Sequence, residues 1–401
     1  MSNPTSQLLD SIADVGIDHT RGGYSRHGFD RTELELREWF TAEAGARGLD
    51  VRPDRNGNLW AWWGAPGPDA VVTGSHLDSV PGGGAFDGPL GVVSALVAVD
   101  LLRASGFTPR RPLAVVVFAE EEGGRFGVPC LGSRLLTGAI TADAARALRD
   151  ADGVSLAEAV RAAGVDPAGL GADPEAIGRI GCFVELHVEQ GRGLVDLAAP
   201  VGLATSILAH GRWRFRFTGQ GNHAGTTPLE QRADPMLPAA EVVRAARRAA
   251  STVEGSRATV GRLVPRPGGT NVIASTVDLW LDARAPDGVA TRELVERIAD
   301  DAEQAARDEG CELEVTRESY GDSVVFDDGL RDRLAGLLGD VPALPTGAGH
   351  DAGILAAHVP TAMLFVRNPT GISHAPAEHA EPDDCARGSA ALADVLRGLA
   401  G

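Results

Sequence analysis

The sequence contains no lysine, so all 37 of its basic residues are arginine. A lysine Schiff base and a phosphate-loop lysine are therefore excluded. Cysteine is scarce as well. Cys130, Cys182, Cys311 and Cys385 are scattered without any C-x-x-C spacing, which favours buried thiols over a disulfide framework. No apolar run approaches the length of a membrane span; Leu113–Ala119 is typical of the longest. The opening Met1-Ser-Asn-Pro-Thr-Ser-Gln-Leu-Leu-Asp lacks a basic region followed by an apolar core. A cytoplasmic protein without a signal peptide is the simplest expectation. Positive charge is in deficit, with 55 acidic residues and a net charge of −18. That balance argues against nucleic acid and anionic membranes as partners. No repeat of 20–50 residues is present, which excludes solenoids and propellers. What is there, 401 residues with 43% hydrophobic and 23% charged side chains, suits one large or two ordinary globular domains.

Near the start, Asp30 can cap a helix that offers Leu34, Leu36, Trp39 and Phe40. Ala70–Ser75, Leu113–Ala119, Cys182–Val188 and Thr361–Val366 read as buried strands. Gly88–Arg103 and Asp383–Leu399 read as helices. This alternation predicts an α/β fold, a mainly parallel mixed sheet flanked by helices. The middle of the chain has another rhythm. Strand Trp213–Thr218, helix Pro235–Ala250, strands Arg257–Val264 and Val272–Arg284, helix Thr291–Glu309 and strand Glu312–Tyr320 follow one another. That β-α-β-β-α-β order predicts an inserted ferredoxin-like α+β lid over residues 208–322. Residues 1–207 and 323–401 would then form one interrupted catalytic domain.

Four loops, each following a strand, carry metal-ligating residue types. In Thr73-Gly-Ser-His76-Leu-Asp78, His76 ends a strand and Asp78, two residues on, can hold its far ring nitrogen. The glycine-rich turn that follows brings back Asp87. In Phe118-Ala-Glu120-Glu121-Glu122-Gly, three adjacent acids end the most apolar strand, a repulsion that cations relieve. Glu122 is the candidate ligand there, and the unligated Glu121 the candidate proton acceptor from water. His187 lies in Glu185-Leu-His187-Val-Glu189-Gln190-Gly, and His374 in Gly371-Ile-Ser-His374-Ala-Pro. Alone, each histidine reads as readily as a core or surface residue. Together, His76, Asp87, Glu122, His187 and His374 exceed one tetrahedral site and suit two divalent ions about 3.5–4 Å apart sharing Asp87. Imidazole and carboxylate without thiolate suit zinc, manganese, cobalt or nickel.

These segments resemble the amidase/hydantoinase–carbamoylase family of two-metal amidohydrolases, within the wider superfamily of aminoacylases and dinuclear-zinc carboxypeptidases. The resemblance runs over nearly the whole chain, and the motifs arrive in the family's order. It implies that His76, Asp87 and His187 hold one metal, that Glu122 and His374 complete the second, and that Asp87 bridges. It also implies that Glu121 is the general base and that Asp78 orients His76. In the lid, Gly219-Gln-Gly-Asn-His223-Ala-Gly-Thr-Thr-Pro resembles the segment whose histidine steadies the oxyanion. Asn271 and Arg284 match the pair that holds the substrate carboxylate, and Gln190 matches a further substrate contact. An arginine fork is physically apt for a carboxylate. Leu229 departs from the methionine that relatives often carry.

The expected activity is cleavage of the ureido C–N bond of allantoate, releasing ammonia and carbon dioxide, with N-carbamoyl-L-amino acids as the alternative substrates. An aminoacylase or dipeptidase, and a silent metal-binding protein, are the competing readings. A homodimer joined through the lids is a further implication of the resemblance. Arg367 reads either as a contact to an acidic substrate or as a pair at the cleft rim. His350-Asp351 reads as scaffolding.

Overall fold

A computed structural model describes residues 3–401. Its strands are β1 (Asp50–Pro53), β2 (Leu59–Trp63), β3 (Ala70–His76), β4 (Leu113–Phe118), β5 (Ile180–Val188) and β6 (Val201–Ile207). There follow β7 (Ala209–Thr218), β8 (Asn222–His223), β9 (Arg257–Arg266), β10 (Val272–Ile273), β11 (Thr276–Ala285) and β12 (Glu312–Gly321). The last are β13 (Val324–Val325), β14 (Ala343–Thr346) and β15 (Thr361–Val366). The described chain forms two compact units, one running to Ser206 and resuming at Val325–Gly401, the other Ile207–Val324.

The first unit is an α/β layer structure around a mixed sheet ordered β1-β2-β4-β3-β5-β15-β6-β13, with β14 beside β6. Neighbours β4, β3, β5 and β15 run parallel, and the flanking pairs β1/β2, β2/β4 and β15/β6 are antiparallel. The parallel strands are apolar runs buried on both faces, as helices on either side of a sheet demand. Helix Pro89–Ala104 packs against β3, β5 and the closing helix Pro382–Ala400. Gly91 permits its closest approach, since a Cβ there would lie 2.2 Å from the Leu186 carbonyl oxygen. Asp30 caps helix Arg31–Ala46 through the Glu33 amide at 2.9 Å, and Leu36 and Phe40 are buried.

Strands β1, at the sheet edge, and β2 beside it were not expected from the sequence, nor were the short helices between 131 and 177 that surround a satellite core of Phe29, Phe126, Leu135, Leu156 and Val160. Such short elements lack the repeated apolar spacing that marks a long helix. All four cysteines are free. No helix among the described residues is long and apolar enough to cross a membrane.

The second unit is a four-stranded antiparallel sheet ordered β12-β7-β11-β9, the β-α-β-β-α-β arrangement. Phe215, Phe217, Leu279 and Leu281 meet Val242, Leu294 and Ile298 of helices Met236–Ala250 and Gly288–Asp308 in its core. The stretch expected as one strand, Val272–Arg284, is instead two. Val272–Ile273 pairs with Asn222–His223, and pairing with β7 begins only at Thr276. The chain bends at Ser275, whose amide donates to the Arg266 carbonyl and whose carbonyl accepts from Gly219 N–H, both at 2.9 Å.

Candidate metal centre

The ligand candidates of the first unit lie at the C-terminal ends of the parallel strands, where open α/β sheets bind ligands. His76 is the last residue of β3, His187 the penultimate one of β5, and the acidic run follows β4 directly. Asp87 returns through the glycine-rich turn. Gly88, at φ +83°, lets that turn press on His76; a Cβ there would lie 2.4 Å from the imidazole Cε1.

Asp87 stands at the centre. Its Oδ1 is 3.2 Å from His187 Nε2 and 3.6 Å from His76 Nε2. Its Oδ2 is 3.4 Å from His374 Nε2, which is also 3.3 Å from Glu122 Oε2. Two groups result, His76–Asp87–His187 and Asp87–Glu122–His374, each with its ligand atoms within 4.8 Å of one another. The histidine tautomers fit a cation. Nδ1 of His76 lies 3.0 Å from the Asp78 carbonyl, and Nδ1 of His187 lies 2.8 Å from the Val188 carbonyl. A carbonyl only accepts, so the ring proton sits on Nδ1 and Nε2 presents a bare lone pair. Both Nε2 atoms and Glu122 Oε1 are buried without a hydrogen-bond partner among the described residues. Stranded acceptors of this kind are costly unless a cation meets them.

The electrostatics agree, for the cluster is short of positive charge. Burial alone would suppress protonation of His76, but Glu121, Asp78 and Asp87 together raise its pKa well above the ordinary value. Contact with Asp87 chiefly pushes His374 to about 9. Burial, and then Asp87, lifts Glu122 to about 8. Burial also lifts Glu121 well above the ordinary carboxylate range. Asp87 goes the other way. Burial opposes its charge, yet the imidazoles of His187, His374 and His76 that crowd it hold it well below the ordinary value.

Glu121 is buried, with Oε2 3.7 Å from His76 Nε2. The acidic run spreads its charge by pointing in different directions. Glu120, at φ +52°, turns away and accepts from the amides of Gly28, Arg125 and Phe126 at 2.8–3.0 Å. Asp78 meets His76 Nδ1 in two ways. Its main-chain carbonyl, rather than its carboxylate, makes the closer contact to His76; the nearer carboxylate oxygen is 3.5 Å away. The carboxylate also accepts from the amides of Glu121 at 3.1 Å and Glu122 at 3.0 Å, so it anchors the acidic turn.

Gln190, expected against substrate, faces the ligands here. Its Nε2 donates to Asp87 Oδ2 at 2.8 Å and Ser373 Oγ at 2.9 Å. Arg367 forms a fork to Asp384 at 2.8 and 3.1 Å, the pairing alternative of its two readings. His350 is buried with its ring 4.5 Å from that of His187; burial, and then His187, keeps it neutral. Asp351 accepts from Ser133 Oγ.

The second unit holds the remaining candidates. His223 is exposed on β8, and the Gly225 amide donates to its Nδ1 at 3.0 Å. That bond places the proton of the neutral ring on Nε2, making it a donor suited to an oxyanion. Asn271 is exposed beside β10, and its carbonyl accepts from Ala224 N–H at 3.0 Å. Arg284, on β11, pairs with Asp282 through Nε at 2.8 Å and Nη2 at 3.2 Å.

Three supporting residues were not legible beforehand. Glu378 Oε1 accepts from the amides of Phe86 and Asp87 at 3.0 and 2.9 Å. Glu185 accepts from Ser75 Oγ at 2.8 Å and Ala352 N–H at 3.0 Å. Ser373 Oγ is 3.2 Å from Asp87 Oδ2. Glu378 and Ser373 stand within four residues of His374, and Glu185 two before His187, which is the only signal the sequence held for them.

Comparison with known proteins agrees with this geometry. The model of peptidase family M20/M25/M40 matches residues 72–398. An N-carbamoyl-L-amino acid amidohydrolase of Geobacillus stearothermophilus is 37% identical over 404 residues, covering 98% of this chain and 97% of that protein. An allantoate amidohydrolase of Escherichia coli (strain K12) is 32% identical over 401 residues, covering 98% and 97%. The crystal structure of a hydantoinase/carbamoylase family amidase from Burkholderia multivorans superposes with a TM-score of 0.88 at 30% identity, covering 100% of this chain and 98% of that one. Clustered histidines and carboxylates together with these likenesses point to divalent metal binding and to hydrolysis of C–N amide bonds. The chain belongs to the M20/M25/M40 peptidase family, on its hydantoinase/carbamoylase amidase side.

Proposed function

We propose that the protein is a two-metal amidohydrolase that cleaves the ureido C–N bond of a linear ureido acid. The observation that carries the reading is the pair of ligand groups sharing Asp87. His76, Asp87 and His187 would hold one divalent ion, and Asp87, Glu122 and His374 the other, drawn from zinc, manganese, cobalt or nickel. Bound ions would polarise the scissile carbonyl and lower the pKa of water at the site.

The chain's own groups supply the rest. Glu121 accepts a proton from the attacking water and returns it to the leaving nitrogen. His223 donates from Nε2 to the developing oxyanion. Arg284 and Asn271 bind the substrate carboxylate, with Arg284 exchanging Asp282 for the substrate or sharing its fork between them. Asp78 holds the acidic turn in place through the Glu121 and Glu122 amides. Gln190 steadies Asp87 and becomes available to substrate if it leaves that carboxylate. The carbamate product decomposes to ammonia and carbon dioxide.

Allantoate is the proposed substrate on the overall pattern of the sequence. N-carbamoyl-L-amino acids form the second reading, favoured by the 37% identity to the Geobacillus enzyme against 32% to the Escherichia coli one. A cytoplasmic homodimer joined through the second unit completes the proposal, resting on the family resemblance. The test is a panel of allantoate, N-carbamoyl-L-amino acids, N-acetyl amino acids and dipeptides with added manganese, following ammonia and free amine. Ammonia from the ureido acids is expected. Turnover confined to acetyl or dipeptide substrates would overturn the ureido assignment.

A further inference from the structure

The Cys130 thiol lies 3.2 Å from Glu121 Oε1 and is positioned to donate to it. Both side chains are buried, Cys130 at 3% exposure and Glu121 at 5%. The backbone reinforces the approach. Cys130 adopts a left-handed φ of +54°, rare for a residue with a side chain. Strain of this sort clusters at functional sites and persists where surrounding contacts enforce it. Here the enforcing contacts are main-chain bonds from 130–132 to 119–121: Cys130 N–H to the Glu121 carbonyl at 2.6 Å, Leu131 to Glu120 at 3.0 Å and Gly132 to Ala119 at 2.9 Å. The turn carrying the thiol is thus laced to the turn carrying the acid.

We propose that Cys130 is a positioning residue for Glu121. Its S–H ties down Oε1, which fixes the rotation of the carboxylate and leaves Oε2 facing His76 and the ligand cluster. Burial and the Glu121 carboxylate keep this thiol well above its ordinary range, so it remains a donor at neutral pH. A thiol suits the place because it is a weak donor that costs little to bury.

The inference rests on the reading of Glu121 as the proton acceptor, and the test separates the two. In the metal-loaded enzyme, Cys130→Ala, Cys130→Ser, Glu121→Gln and the double variant Cys130→Ala/Glu121→Gln are compared on the best ureido substrate. Cys130→Ala should lose about 5- to 30-fold in kcat, with KM, metal content and melting temperature close to the parent. Cys130→Ser, retaining a donor, should recover most of that loss. Adding Cys130→Ala to Glu121→Gln should cost nothing further, because the group it positions is gone. Parent-like kcat in Cys130→Ala, or no recovery in Cys130→Ser, overturns the positioning role even where Glu121→Gln is inactive. A Glu121→Gln variant that turns over normally overturns the proton-acceptor reading itself, and the inference with it.

Discussion

His187 Nε2 lies 3.2 Å from Asp87 Oδ1, whereas the opposite oxygen of the same carboxylate faces His374. One aspartate therefore serves two ligand groups drawn from different strand ends. Asp87→Ala should lose both ions, while His374→Ala should lose only one. Metal analysis after desalting checks this, and unequal loss in Asp87→Ala would contradict a shared ligand. Prolonged chelation should abolish turnover of the parent, and a divalent ion should restore it.

Glu121 is buried beside His76 but belongs to neither ligand group. Glu121→Gln should accordingly retain metal while losing about 10²–10⁴-fold in kcat, the span expected for general acid–base catalysis. Paired metal content and steady-state kinetics measure both. Substantial remaining turnover would remove Glu121 from its role.

Arg284 presents a two-pronged fork, which meets Asp282 through Nε and Nη2. Removing its fork in Arg284→Ala should raise KM for carboxylate substrates about 10- to 100-fold, with a smaller effect on kcat. Arg284→Lys should repair little of this, since an ammonium cannot reproduce two parallel hydrogen bonds. An unchanged KM would contradict carboxylate docking.

Stability has its own test in the second unit. Asp278 is 1% exposed and receives Arg216 at 2.8 Å, with Arg266 on its other oxygen. The Arg216 hydrogen bond chiefly holds its pKa below the ordinary value. A carboxyl depressed on folding contributes stability above its unfolded pKa, and the contribution is lost as pH falls through the folded one. Asp278→Asn should cost about 1.5–3 kcal/mol at neutral pH, the range for hydrogen bonds to charged groups. The difference should shrink progressively below about pH 4, near the unfolded carboxylate pKa. Thermal unfolding of parent and variant across that range checks the sign; a gap that widens in acid would refute it.

The sequence made the centre legible where chemistry and strand pattern coincide. His76, the acidic run and His187 stand at or just beyond apolar strands, and parallel strands buried on both faces announce themselves as continuous apolar runs. The hydrogen-bonded partners were harder to see. Glu378 reaches Asp87 across 291 residues, and Ser133 reaches Asp351 across 218. Contacts so remote leave no periodic trace. Arg367 shows the limit from the other side, because a solitary arginine says nothing about which acid it meets until Asp384 is placed 17 residues on.

Residue types and their order along the chain thus determined the layered α/β architecture, the inserted β-α-β-β-α-β unit and the identity of the ligand candidates, because burial pattern and ligand chemistry are both local properties. Only the tertiary structure decided which nitrogen of His76 and His187 is bare, which acid of the run turns inward, and that Asp78 braces a turn. Those outcomes depend on carbonyls and amides that folding brings within about 3 Å, the reach over which a hydrogen bond has direction.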